Sequence, residues 1–175
     1  MIQSEMTTNL LSETVREQID RWLEKFPPDQ KRSATLYALR VVQEENGGWL
    51  TDELMAAVAE YLNIPAIGVY EVATFYSMYD LNKVGKHKIK ICTSISCMLR
   101  GSDKIINHLR DRLGINLGET TPDGLFTLKA VECLAACGNA PALQINDRSY
   151  VENIDPEKID LILDELQVLE IADGQ

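Results

Sequence analysis

The sequence predicts an α+β protein: an N-terminal helical bundle followed by a small α/β domain. Three observations lead there. Apolar residues recur at helical spacing through about the first eighty positions. Beyond Asn82 and Gly85 short alternating strands interleave with helices, and all four cysteines of the chain fall in this second half, as two close pairs.

The bundle reads as four segments. Thr14 with Glu17 has the form of a capping box, and Val15, Ile19, Trp22, Leu23 and Phe26 follow at helical spacing until Pro27 and Pro28 stop the helix. A second helix runs from Ser33 through Val42, ended by the permissive backbone of Gly47 and Gly48. Thr51 or Asp52 caps a third, whose stripe of Leu54, Met55, Val58, Ala59 and Leu62 closes near Asn63, ahead of Ile64 and Pro65. The fourth, Val69 to Tyr79, is apolar almost all round. It must be covered on more than one side, by the other three helices or by another protein.

In the second half, His87 to Cys92 alternates as a strand with Ile89 and Ile91 on one face. Ser102 to Leu113 is helical through Ile105, Ile106, Leu109 and Leu113 and is closed by Gly114; a turn at Asp123 and Gly124 leads to a strand from Leu125 to Val131. This makes a βαβ unit. A hairpin follows, from Ala142 to Ile145, turning over Asn146 to Ser149 into Tyr150 and Val151. A last helix has Asp155 as N-cap and Pro156 at its first position, and turns Ile159, Ile162, Leu163 and Leu166 inward. The order β-α-β then β-β-α is that of a small thioredoxin-like domain. The boundary lies near residues 80 to 86, dividing the chain into 1–84 and 85–175.

Composition narrows the function. At 175 residues and 45% hydrophobic the chain can bury a substantial core. A net charge of −10 argues against nucleic acid as a partner, because its binders need clustered Lys and Arg. Met1 to Asn9 has neither a basic n-region nor an apolar h-region, and no apolar run approaches the roughly 18 residues needed to cross a bilayer. A cytoplasmic protein without direct membrane insertion is expected. In a reducing compartment paired cysteines bind metal more often than they form disulfides.

Cys92 and Cys97 have four residues between them, Cys133 and Cys137 have three, and 35 residues separate the pairs. Parallel strands joined by a right-handed crossover end on one edge of a sheet, where open α/β sheets bind ligands. Cys92 ends the first strand, Cys133 follows the second, and Cys97 and Cys137 lie in the loops beyond, so the topology brings four sulfurs to that edge. Two occupants suit them. A structural zinc ion accepts four thiolates at such loop spacings; a rhombic cluster of two irons and two sulfides is wider and suits a four-residue gap followed by a distant pair. Ser94, Ser96, Ala135, Ala136 and Gly138 are small enough to let backbone N–H groups approach sulfur, although small residues also fit tight loops for their own sake. Neither pair has the two-residue gap of thioredoxin chemistry. His87 and His108 are expected on the surface. With no GxGxxG fingerprint and no phosphate loop, the chain is not expected to bind nicotinamide or flavin itself.

The segments VVQEENGGWL (41–50), VYEVATFYSMY (69–79), CTSISC (92–97) and ECLAACGNAPALQIND (132–147) resemble the thioredoxin-like [2Fe-2S] ferredoxin subunits, the 24 kDa subunit family, of NADH:quinone oxidoreductase (respiratory complex I). The likeness runs from about Leu36 to Leu166. It implies a helical bundle followed by a thioredoxin-like α/β domain carrying an iron-sulfur cluster, with Cys92, Cys97, Cys133 and Cys137 as its four ligands. It further implies electron transfer in an NADH-oxidising complex, beside a flavin-binding NADH dehydrogenase subunit that holds FMN and NADH, in the cytoplasmic peripheral arm of a membrane-bound complex. The same family serves NAD-linked formate dehydrogenases and NAD-reducing hydrogenases. A zinc-stabilised interaction module and a thiol-disulfide protein are the readings from other classes.

Three further expectations concern particular residues. Tyr70, Phe75, Tyr76 and Tyr79 are candidates for docking the flavin subunit, with core filling as the competing role, more so for Phe75 than for Tyr79. Lys86, Lys88, Lys90, Arg100, Lys104, Arg110 and Arg112 form the one basic stretch, either facing a partner or moderating cluster charge, or simply a solvated strand and helix face. Pro141 precedes the third strand, where thioredoxin-like folds commonly carry a cis proline.

Overall fold

The computed structural model describes residues 10–173, which divide into two compact units with the break between Lys83 and Val84. The reading of Met1–Asn9 as lacking a leader lies outside the described residues. No helix among the described residues is long and apolar enough to cross a membrane.

The first unit contains α1 (Glu13–Leu23), α2 (Thr35–Glu45, entered through a 3-10 turn at Lys31–Ala34), α3 (Asp52–Leu62) and α4 (Ala66–Phe75). The cap of α1 is Ser12 and not Thr14: its hydroxyl accepts the Val15 N–H at 3.2 Å, leaving Glu13 in the first turn where the helix dipole favours a carboxylate. Thr51 caps α3 by accepting the Leu54 N–H at 3.1 Å, and Asn63 closes it in the left-handed conformation at φ 55°. Ile19, Leu39, Leu50, Leu62 and Val69 are fully buried between the helices.

The fourth helix departs furthest from expectation. It starts directly after Pro65 and stops at Phe75, so Tyr76 to Tyr79 leave it. The cause is a buried glutamine: Gln43 Nε2 donates to the Met78 carbonyl at 3.1 Å while its Oε1 accepts the Asp80 N–H at 2.7 Å. Leu50 N–H adds a bond to the Asp80 carbonyl at 2.7 Å. These bonds draw the chain across the bundle and lower Tyr79 into the core, 5% exposed, with its hydroxyl donating to the Leu36 carbonyl at 2.7 Å. Phe75 is 80% exposed, so the roles expected of these two aromatics are exchanged.

The second unit contains β1 (His87–Cys92), α5 (Ile95–Leu99), α6 (Ser102–Leu113), β2 (Phe126–Val131), β3 (Ala142–Ile145), β4 (Ser149–Glu152) and α7 (Pro156–Asp173). The sheet order is β2-β1-β3-β4, with β1 parallel to β2 and antiparallel to β3. Alternation along β1 separates two faces. Ile89 and Ile91 join Leu128, Leu143, Ile105, Leu109, Ile159 and Leu163 in one core, while Lys88, Lys90 and Cys92 point to the other side. Asp155 caps α7, accepting the Lys158 N–H at 2.8 Å.

His87 is not a surface residue. It begins a central strand on the core face, is buried against Phe126 with ring centroids 5.7 Å apart, and its Nδ1 lies 3.4 Å from the Asn146 amide. His108 is half-buried and contacts Asp160 through Nε2 at 2.9 Å. The Ala140–Pro141 bond is cis.

Gly85 brings the chain alongside β2, where its N–H donates to Thr127 Oγ1 at 2.6 Å, and a Cβ there would lie 2.8 Å from the Phe126 carbonyl carbon. Gly85→Ala therefore destabilises the second unit by about 1–3 kcal/mol, read as a lower urea midpoint. Burial pushes the Tyr79 hydroxyl up to about 12, as it does that of Tyr61. Because these folded values exceed the ordinary 10, the stability they contribute is complete below about pH 10 and is lost as pH rises through about 12. Tyr79→Phe should make the alkaline decline in unfolding midpoint shallower.

Candidate metal centre

The two cysteine loops leave adjacent parallel strands. β1 ends at Cys92, and the Thr93 N–H continues the ladder to the Val131 carbonyl at 3.0 Å, so the chain leaves β1 beside the end of β2. Ser94, extended at φ −65° and ψ 157°, leads into α5, a short helix that buries Cys97. On the other side, residues 132–136 form a loop with Ala135 left-handed at φ 60°, followed by a 3-10 turn at Cys137–Asn139 and the entry to β3. Cys92, Cys97, Ala140 and Ala142 form a small buried cluster on the face opposite the α6 and α7 core, with Leu134 and Ala136 packed against it.

The thiols come in two pairs, one inside this cluster and one exposed beside it. Cys133 and Cys137 have their Sγ atoms 3.5 Å apart, and the Ala135 N–H donates to Cys133 Sγ at 3.3 Å. Cys92 and Cys97 share a thiol hydrogen bond. The loops also reach each other: Leu134 and Ala136, from the second, pack against Cys92 and Cys97 of the first. The Ala142 N–H serves Cys97.

Electrostatics follow this map. Burial pushes the Cys92 thiol up, but the N–H groups of Leu134 and Ser94 together with the Cys97 thiol outweigh it and hold Cys92 below the ordinary thiol value. Cys97 is raised by burial first and by Cys92 second, with the charge of Cys137 adding to it. Cys137 is raised first by its hydrogen bond to Cys133 and then by that neighbour's charge. Four thiolates so close repel one another unless cations lie between them. The donor set, two thiol pairs with N–H groups aimed at sulfur, fits a centre that spreads its ligands over two ions.

Exposure is unequal. Cys92 and Cys97 are 1% and 2% exposed, whereas Cys133 and Cys137 are exposed and none of residues 132–139 is buried. The basic stretch is also divided. Arg112 bonds Asp164 at 2.9 Å on the surface, but Lys88 and Lys90 are buried and share the carboxylate of Asp147, so for these two the solvated-face reading is wrong. Sequence reasoning missed this carboxylate, although the alternation of HKIKIC beside the Asn146–Asp147 turn was its signal. Nothing in the sequence marked the Leu134 and Ala142 N–H groups as sulfur donors.

A family model described as thioredoxin-like [2Fe-2S] ferredoxin matches residues 19–167, and the chain belongs to that family. An NADH-quinone oxidoreductase subunit of Rickettsia conorii is 49% identical over 145 residues, covering 83% of this chain and 86% of that protein. The mitochondrial NADH dehydrogenase [ubiquinone] flavoprotein 2 of Dictyostelium discoideum is 42% identical over 82% of this chain and 58% of its own length. Among solved structures, a crystal structure of an NAD+-reducing [NiFe]-hydrogenase in the air-oxidized state aligns with a TM-score of 0.65 at 21% identity, over 75% of this chain but only 23% of that one. At that identity it shows the fold alone.

In protein freed of metal, Cys133 and Cys137 should be alkylated on the order of tenfold faster than Cys92 and Cys97, because burial of the latter pair outweighs the lowered Cys92 and raised Cys137 thiols. Peptide mapping by mass spectrometry after timed iodoacetamide treatment measures the ratio.

Proposed function

We propose that this chain is the electron-transfer subunit of an NADH-oxidising complex of the NADH:quinone oxidoreductase type, with Cys92, Cys97, Cys133 and Cys137 holding one [2Fe-2S] cluster. The observation that carries this reading is that the loop bearing Cys133 and Cys137, whose sulfurs lie 3.5 Å apart, packs Leu134 and Ala136 against the buried Cys92 and Cys97 at the end of the neighbouring parallel strand. Family membership and the names of relatives matched over 83% of this chain support the larger assignment. When bound, the cluster supplies a one-electron couple.

The chain's own residues do the rest. The thiolates neutralise the iron charge, and the N–H groups of Ser94, Leu134, Ala135 and Ala142 offset the negative charge left on sulfur. Strand β1 and helix α5 keep Cys92 and Cys97 away from water. No residue here makes or breaks a substrate bond; FMN and NADH belong to the partner subunit. The open side of the site, bearing Cys133 and Cys137, is the side through which an electron passes at short range. In the first unit, Ile67, Tyr70, Phe75 and Tyr76 present an exposed apolar surface that suits docking to the flavin-binding subunit. The assembly is the peripheral, cytoplasmic arm of a membrane-bound complex.

Purified chain should be reddish brown, bleach with dithionite and contain about two irons and two acid-labile sulfides. Each of the four Cys→Ser variants should alter the same spectrum. Zinc without sulfide would overturn the assignment. Phe75→Asp should weaken co-purification with the flavin-binding subunit on the order of tenfold and leave the spectrum of the isolated chain unchanged.

A further inference from the structure

The face of β1 that ends in Cys92 carries two buried cations behind it. Lys88 and Lys90 are 4% and 3% exposed, and two residues along a strand is about 7 Å, so Lys88, Lys90 and Cys92 form one row. Lys129, the parallel partner of Lys90 on β2, lies on the same face. Asp147 joins the row: its Oδ2 is 2.7 Å from Lys88 Nζ, and its Oδ1 pairs with Lys90 Nζ.

The carboxylate is held there by a built turn. Asn146 and Asp147 are both left-handed, at φ 51° and 58°, in a three-residue hairpin loop whose turn is closed by the Arg148 N–H on the Ile145 carbonyl at 3.1 Å. Asn146 then clasps β1 from both sides, its N–H donating to the Lys88 carbonyl at 3.1 Å and its Oδ1 accepting the Lys88 N–H at 2.8 Å. Within the triad two ammonium groups share one carboxylate. Both lysines are buried while Asp147 keeps 35% of its side chain exposed; burying an ammonium group costs stability, and on the opposite face of the same strand Ile89 and Ile91 fill the space with apolar groups. The lysines therefore call for a reason other than stability.

Resting on the assignment of the four cysteines above, we infer that the Lys88–Asp147–Lys90 triad sets the reduction potential of the metal centre. A centre of two ferric ions, two sulfides and four thiolates carries about −2 and gains a further negative charge on reduction. Lysines fixed on the same sheet face in poorly screened surroundings favour the reduced state, and Asp147 opposes them. Lys88, Lys90 and Asp147 touch no cofactor atom and are positioning residues: the turn fixes the charges, and the charges bias the couple.

The test is a redox titration of the purified full-length chain, followed by visible absorbance and by electron paramagnetic resonance of the reduced form. In Lys90→Met the ratio of reduced to oxidised centre at a fixed ambient potential should fall about three- to tenfold, and the fall should persist in high salt. Lys90→Arg should restore the wild-type ratio. Asp147→Asn should move the ratio in the opposite direction. A merely structural role moves neither, or moves both the same way. Should Lys90→Met fail to fold, Lys88→Met and Asp147→Asn decide, again by shifts of opposite sign. Variants that keep wild-type iron, sulfide and circular dichroism yet titrate identically to wild type overturn the inference. Wild-type protein without iron and sulfide overturns the cysteine assignment instead.

Discussion

The parallel pairing of β1 with β2 is the constraint on which the second unit depends. Its register runs from His87 opposite Phe126 to Cys92 opposite Val131, so both strands finish at the same level. A shift by one residue would turn Cys92 toward the α6 and α7 core and send Ile91 to the opposite face, because side chains alternate strictly along a strand. The hydrophobic core resists such a shift, since Ile89, Ile91 and Leu128 share one buried face in this pairing. Cys92 inherits its place from that core: once the apolar residues are packed, its thiol has no other face to take.

Much of this was legible in the sequence. Strand β1 was marked by its alternation, α6 by Ile105, Ile106 and Leu109 and the closing Gly114, and α7 by Asp155 and Pro156. These signals are local, which is why they survive without knowledge of the fold. The fold class and the family resemblance are borne out by the family match over residues 19–167. What escaped was set by contacts distant in sequence. The extent of α4 depends on Gln43, some 35 residues before the carbonyl that it grips at Met78, and no periodicity within 66–79 records that grip. The displaced cap of α1 is a smaller miss of a different kind: two hydroxyls two residues apart offered the same chemistry, and the one followed by an acidic first turn prevailed.

The burial of Lys88 and Lys90 shows how charge and position combine. Read as text, HKIKIC is an amphipathic strand whose lysines face water. In the fold both are buried, at 4% and 3% exposure. Asp147 provides the compensation, and the Asn146–Asp147 turn places it there because both residues tolerate a left-handed backbone.

The difference in exposure between the two cysteine pairs has a thermodynamic meaning. One jaw of the site, on β1 and α5, is rigidified by the same packing that folds the domain, whereas the other, residues 132–139, buries no side chain and is shaped mainly by a few backbone hydrogen bonds. Ordering the second jaw costs conformational entropy that the protein's own packing does little to offset. Grip on an inorganic core would supply the missing free energy, making the mouth of the site the part of the polypeptide whose firmness reports whether its cargo is in place.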